Sequence, residues 1–251
     1  MIDFLQNDNN DIKDIIDIIA EKKSLAKVII EKDMWVSYVL DYLFNRCKYK
    51  DYFEFKGGTS LSKGYNVIER FSEDVDIIID SKILGESISS IINGDISRNQ
   101  KQKKANELNA KALNFYENVL VPLFSKEMSE ELNRNVKVRL VKDELSIYID
   151  YQSLFQDNYI LPSVKLEIGP LAAWSPNEKK IIKSYIQDYY PNLCANSSFP
   201  VLITLPKRTF WEKAVILHQE ANRKDSKIPS RYSRHYYDLF KMAPTQIKLM
   251  H

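Results

Sequence analysis

Thiols and imidazoles are in short supply: the 251 residues hold two cysteines, Cys47 and Cys194, and three scattered histidines, His218, His235 and His251. A disulfide framework and a structural zinc site are both excluded, because each needs more ligands at short spacing. The two cysteines read as small buried apolar residues. Any metal has to be held by carboxylates. No uninterrupted apolar run approaches the roughly 20 residues that cross a bilayer. The opening stretch MIDFLQNDNNDIKD lacks the basic-then-apolar order of a signal peptide, so a cytoplasmic protein with no membrane contact is expected. Charge of one sign is not in excess either, with 36 basic and 34 acidic residues for a net of +2. Glycine is the most telling scarcity. Only six occur in the chain, yet Gly57, Gly58 and Gly64 fall within eight positions, in KGGTSLSKGYNVIERFSEDVD. At ordinary usage near 7% the chain would hold about three times as many glycines, so something at this point needs bare backbone.

What is present is enough for a sizeable core, since 44% of residues are hydrophobic and 28% charged. Apolar residues at three- and four-residue steps predict helices over residues 11–22 and 25–46. FEFK at 53–56 and DVDIIID at 74–80 read as strands on either side of the glycine turn and a short helix. A long polar helix is expected over 98–120. VKVRLV, LSIYID and SVKLEI, at 136–141, 145–150 and 163–168, add three strands, and together these predict an α+β chain with a mixed sheet. FPVLITLP at 199–206 precedes helices over about 208–220 and 231–242. The proline-bearing stretch 169–200 suggests a boundary, giving residues 1–170 as N-terminal helices plus sheet core and 171–251 as a mainly helical C-terminal portion. The aromatics Phe210, Trp211, Tyr236 and Tyr237 are expected to pack in the core.

The chemistry centres on Asp74 and Asp76. Alternation along a strand puts both carboxylates on one face, where they repel unless a cation lies between them. Such a pair suits Mg²⁺, which takes one or two carboxylates and completes its shell with phosphate oxygens and water. A D-x-D alone is equally met on a solvent-facing strand. The glycine turn adds weight, because Thr59, Ser60 and Ser62 follow Gly57 and Gly58 at a helix start, where free amides favour an anion. The spacing does not fit a Walker P-loop. Glu167 in a later strand is a candidate third carboxylate, with Lys165 on the same face. Between residues 207 and 234, eight basic residues (Lys207, Arg208, Lys213, Arg223, Lys224, Lys227, Arg231 and Arg234) face three acidic ones, Glu212, Glu220 and Asp225, a net of +5. That segment is either a phosphate-binding surface or a solvated helix face.

Four blocks, EKDMWVSYVL, FKGGTSLSKGYNVIERFSEDVDIII, VKLEIG and TFWEKAVIL…RHYYDLF, fall in one order between about residues 30 and 240. In that order they resemble the AbiEii nucleotidyltransferases, the toxin half of type IV abortive-infection toxin–antitoxin pairs. The resemblance implies a DNA polymerase β-like nucleotidyltransferase sheet with flanking helices and a helical C-terminal portion that completes the cleft. It implies that Gly57, Gly58, Thr59 and Ser60, with Lys63, hold the phosphates of a nucleoside triphosphate. Asp74, Asp76 and Glu167 would hold Mg²⁺, or Mn²⁺ in its place. Lys213 would contact phosphate, and Asp238 would be the family's late active-site aspartate. The implied acceptor is a tRNA 3′ end and the implied partner a cognate antitoxin. Three positions depart from the pattern. Thr59 replaces a common serine and keeps the hydroxyl, Glu167 replaces an aspartate, and His235 stands where relatives carry another aspartate. Two rival readings keep the fold: transfer to a small molecule or protein, and an inactive fold that serves as a protein-binding module.

Overall fold

The computed structural model describes residues 1–88, 91, 96–172, 176–193, 198–223 and 232–249. Cys194, His251, Lys224, Lys227 and Arg231 lie outside the described residues. Helices α1 (Asn9–Lys23) and α2 (Lys27–Asp41) lead into strand β1 (Phe53–Lys56), the short helix α3 (Gly57–Lys63) and strand β2 (Asp74–Ile79). Helices α4 (Arg98–Phe115) and α5 (Val121–Leu132) precede β3 (Lys137–Val141), β4 (Ser146–Asp150) and β5 (Ser163–Gly169). Then come β6 (Asn177–Lys183), β7 (Ser198–Thr204), α6 (Pro206–Ala221) and α7 (Ser233–Leu249).

The strands form one mixed seven-stranded sheet in the order β3-β4-β5-β2-β1-β7-β6. Period-two alternation sorts its faces. Val75, Ile77 and Ile79 of β2, Phe53 and Phe55 of β1, and Val164, Leu166 and Ile168 of β5 all point into the main apolar core, where α2 and α5 also bury side chains. The opposite face carries Asp74 and Asp76. The β2/β5 register pairs Asp74 with Lys165 and Asp76 with Glu167, and the β1/β2 register pairs Asp76 with Lys56. Lys56, Asp76 and Glu167 thus form a polar row across three adjacent strands, and α6 and α7 lie against it.

Three differences from the sequence reading have physical causes. The long helix does not stop at 120. A π-helical turn over Tyr116–Leu120 leads into α5, whose Pro122 sits in the first turn, where a missing N–H costs nothing. Strand β6 was not expected. Its sequence, NEKKIIK, is that of a charged edge strand paired on one side only, and such edges are lysine-rich to discourage further pairing. As β6 and β7 both follow residue 170, the sheet runs on past the expected boundary there. Of the four C-terminal aromatics, Phe210 and Tyr237 pack beside a small cluster of Leu61, Ile68 and Met242, whereas Trp211 and Tyr236 are exposed.

The buried triplet Glu31-Lys32-Asp33 of α2 acts as a latch. Glu31 accepts bonds from the Leu154 amide and the Ser153 hydroxyl, both at 2.7 Å. Lys32 donates to the carbonyls of Leu161, at 2.9 Å, and Ser163. Asp33 accepts from the Tyr185 amide at 2.7 Å and pairs with Lys63. Buried charges persist only when each is answered in this way. No helix among the described residues is long and apolar enough to cross a membrane.

Candidate active site

Strand β1 ends at Lys56, and the chain turns sharply into α3 through Gly57 at φ +79°, a conformation that side-chain-bearing residues avoid. Space compounds the requirement. A Cβ on Gly57 would sit 1.9 Å from Asp76 Oδ2, and one on Gly58 would sit 2.8 Å from Arg70 Nη2 and 3.0 Å from Ser72 Oγ. The glycine pair therefore lets backbone approach the carboxylate and the guanidinium as closely as it does. The third glycine has another cause, because a Cβ on Gly64 would meet Ile203 at 2.4 Å. Gly57→Ala should reduce any activity of the site about a hundredfold, since the new methyl displaces Asp76, and should cost about 1–3 kcal/mol through strain. A thermal melt beside a rate measurement checks both.

The hydroxyls that follow are turned inward. Thr59 Oγ1 faces the carbonyls of Ser72, at 3.1 Å, and Asp74, while Ser60 Oγ donates to the Gly57 carbonyl at 2.8 Å. Both side chains are buried and brace the turn through contacts with backbone carbonyls. Lys63 is likewise committed elsewhere, to Asp33 and to the Lys183 carbonyl at 3.2 Å, on the side of α3 facing α2.

Gly57, Gly58, Asp74, Asp76, Glu167 and Lys213 are brought together around a cavity of about 130 Å³. Burial first, then the neighbouring Glu167, raises the Asp76 carboxyl from its ordinary 3.8 to about 6. The same two causes raise Asp74. Glu167 is the more open of the three, and Lys165 holds one of its oxygens at 2.7 Å.

Several lining residues were not singled out by sequence reasoning. The chief one is Arg70, whose Nε and Nη2 each lie 2.7 Å from an oxygen of Asp238. Asp238 is fully buried and also holds Lys213 Nζ at 2.9 Å. Burial pushes its pKa up, but the bonds from Arg70 and Lys213 outweigh that, and its carboxyl ends below the usual range. Asp238 therefore holds two cations and is not itself among the residues that line the cavity. The signal for Arg70 was its place as the lone cation in ERFSEDVD. Lys56 and Glu212, paired at 3.5 Å, and Arg234, 3.8 Å from Asp74, complete the rim. His235 also lines the cavity. Burial, then Lys213 and Arg234, push its pKa down to about 4, so the ring is neutral at pH 7, and its buried Nδ1 has no hydrogen-bond partner among the described residues.

A family model described as nucleotidyl transferase AbiEii toxin, type IV toxin–antitoxin system, matches residues 39–250. The chain belongs to this AbiEii family. No curated protein matches the sequence. As an AbiEii chain it is a nucleotidyltransferase-type toxin, and membership implies a nucleotide substrate and an antitoxin partner.

The carboxylates of this AbiEii chain can be tested for a cation. Among the described residues no three His, Cys, Asp or Glu side chains converge into a finished metal cage. Asp74 and Asp76 instead offer two hard oxygen donors with raised pKa values in a small cavity lined by cations. That donor set fits Mg²⁺ arriving with phosphate oxygens and water in its remaining positions.

Proposed function

We propose that this chain moves a nucleoside monophosphate from a nucleoside triphosphate to an acceptor hydroxyl, with a tRNA 3′ end as the acceptor, and so acts as a toxin that blocks translation. The observation that carries the reading is the placement of Asp74 and Asp76 between the Gly57-Gly58 backbone and the Lys213–Asp238–Arg70 cluster in one small cavity. Mg²⁺, or Mn²⁺, when bound by the two aspartates, polarises phosphoryl oxygens and offsets their charge. The glycine turn leaves room for the triphosphate chain. Lys213 and Arg70, held fast by Asp238, neutralise the pyrophosphate as it leaves, an electrostatic contribution that needs no reorganisation. Glu167, on the open side of the carboxylate row, accepts the proton of the acceptor hydroxyl as its oxygen bonds to the α-phosphorus and the bond from that phosphorus to the pyrophosphate oxygen breaks. Positioning and charge supply most of the rate.

Incubation with Mg²⁺, each α-labelled nucleoside triphosphate in turn and total tRNA tests the reading beside an Asp76→Ala control. Label should move to RNA only with Asp76 present. The KM for tRNA should rise about twentyfold between 50 and 200 mM salt, as counterions compete for about three phosphate contacts. Nucleotide binding without transfer to RNA would discard this acceptor and send the search to proteins and small molecules.

A further inference from the structure

The cavity of the proposed chemistry is too small for a whole nucleotide. About 130 Å³ accommodates a phosphate chain, whereas sites for complete small-molecule ligands measure roughly 300–1,000 Å³. A second cavity, of about 490 Å³, adjoins it and shares Arg70, Ser72, Asp74 and Arg234 as a common wall. The rest of its lining is Phe71, Glu73, Ser233 and Tyr237. We propose that this second cavity binds the nucleoside of the donor nucleotide, with the base against Phe71.

Four observations support the assignment, which rests on the nucleotidyl-transfer reading above. A triphosphate in the first cavity whose α-phosphate lies at Asp74 has its nucleoside at the shared wall. Phe71 is only partly buried and belongs to neither apolar cluster of the described residues, although it also borders a small cavity beside Val36 and Tyr185. An aromatic side chain in the wall of a cavity beside a phosphate site is what base stacking requires. Arg234 at the junction complements the charge of the α-phosphate, to which the ribose is joined. Finally, Glu167 lines the first cavity and not the second, which leaves the acceptor on the β5 side and the second cavity for the donor.

The test measures Mg²⁺-dependent affinity for the four α,β-methylene nucleoside triphosphates and for inorganic triphosphate, together with the KM for tRNA. It does so in the wild type, Phe71→Ala and Phe71→Tyr. Phe71→Ala should weaken nucleotide binding about tenfold, the size of one stacking contact, while inorganic triphosphate affinity and the KM for tRNA stay within about twofold. Phe71→Tyr should keep the wild-type affinity. An unchanged nucleotide affinity in Phe71→Ala would overturn the proposal, and so would an equal loss for inorganic triphosphate, which marks a general structural effect. A rise in the KM for tRNA alone would overturn it in favour of the acceptor's terminal nucleoside. A wild-type protein that binds neither nucleotide nor inorganic triphosphate would instead remove the nucleotidyl-transfer reading beneath it.

Discussion

Asp76→Asn should abolish transfer and at the same time make the metal-free protein more stable. The carboxyl of Asp76 is raised from 3.8 to about 6 by burial and by Glu167, so its ionised form is held in the fold at a cost. Between those two values the folded state binds the proton that the unfolded state releases. Stability from this group therefore falls as pH rises from about 4 to 6 and stays low above that. A shift of that size corresponds to about 2 kcal/mol once the group's partial exposure is allowed for. In a domain of this length asparagine should return about 4–8 °C of melting temperature at pH 7. The gain should shrink towards pH 4, where Asp76 itself is protonated. Transfer should drop about a thousandfold, since the charge that holds the cation is gone. Added Mg²⁺ with nucleotide should stabilise the wild type and leave the variant unmoved. Melts at pH 5 and 7, with and without Mg²⁺ and nucleotide, check the stability effects and a transfer assay checks the rate; a variant less stable than the wild type at pH 7 would refute the electrostatic argument.

How much of this was legible in the sequence follows from the range of the forces involved. The strands at β1, β2, β3, β4 and β5 could be read because each alternates or runs apolar over its own length, and that local period fixes which side chains reach the core. The pairing of Asp76 with Glu167 across parallel strands is not local. It depends on strands about ninety positions apart lying side by side, so Glu167 could be put forward as a third carboxylate without its partner strand being known. Strand β6 was hidden because a charged edge strand carries little apolar signal. The roles of Lys63 and Asp238 turned on partners. A lysine two turns into a helix that begins at a glycine turn reads as a phosphate ligand, and its pairing with Asp33 of α2 is visible only in the fold. Arg70 was passed over because a single arginine in an irregular segment has no period at all, and its meaning appears only when α7 brings Asp238 to it.

That pairing yields the second large expected effect. Asp238→Asn keeps the shape of the side chain but removes the charge that joins Arg70 to Lys213. Breaking a buried ion pair on one side leaves its partners uncompensated and costs about 3–5 kcal/mol. In the wild type this contribution is present above the ordinary carboxylate range and lost as pH falls through the depressed pKa of Asp238, so acid should narrow the gap between variant and wild type. Two cations left facing one another will take any anion that reaches them. Inorganic triphosphate should therefore raise the melting temperature of Asp238→Asn by more than it raises that of the wild type. Binding need not suffer. Turnover should, by about a hundredfold, because Lys213 and Arg70 no longer stand where the leaving pyrophosphate develops its charge. A loss of kcat with the KM for nucleotide held or lowered would mark Asp238 as a positioning residue. A rise in KM at constant kcat would show instead that Asp238 shapes the binding of the ground state, and that the two cations act without its guidance.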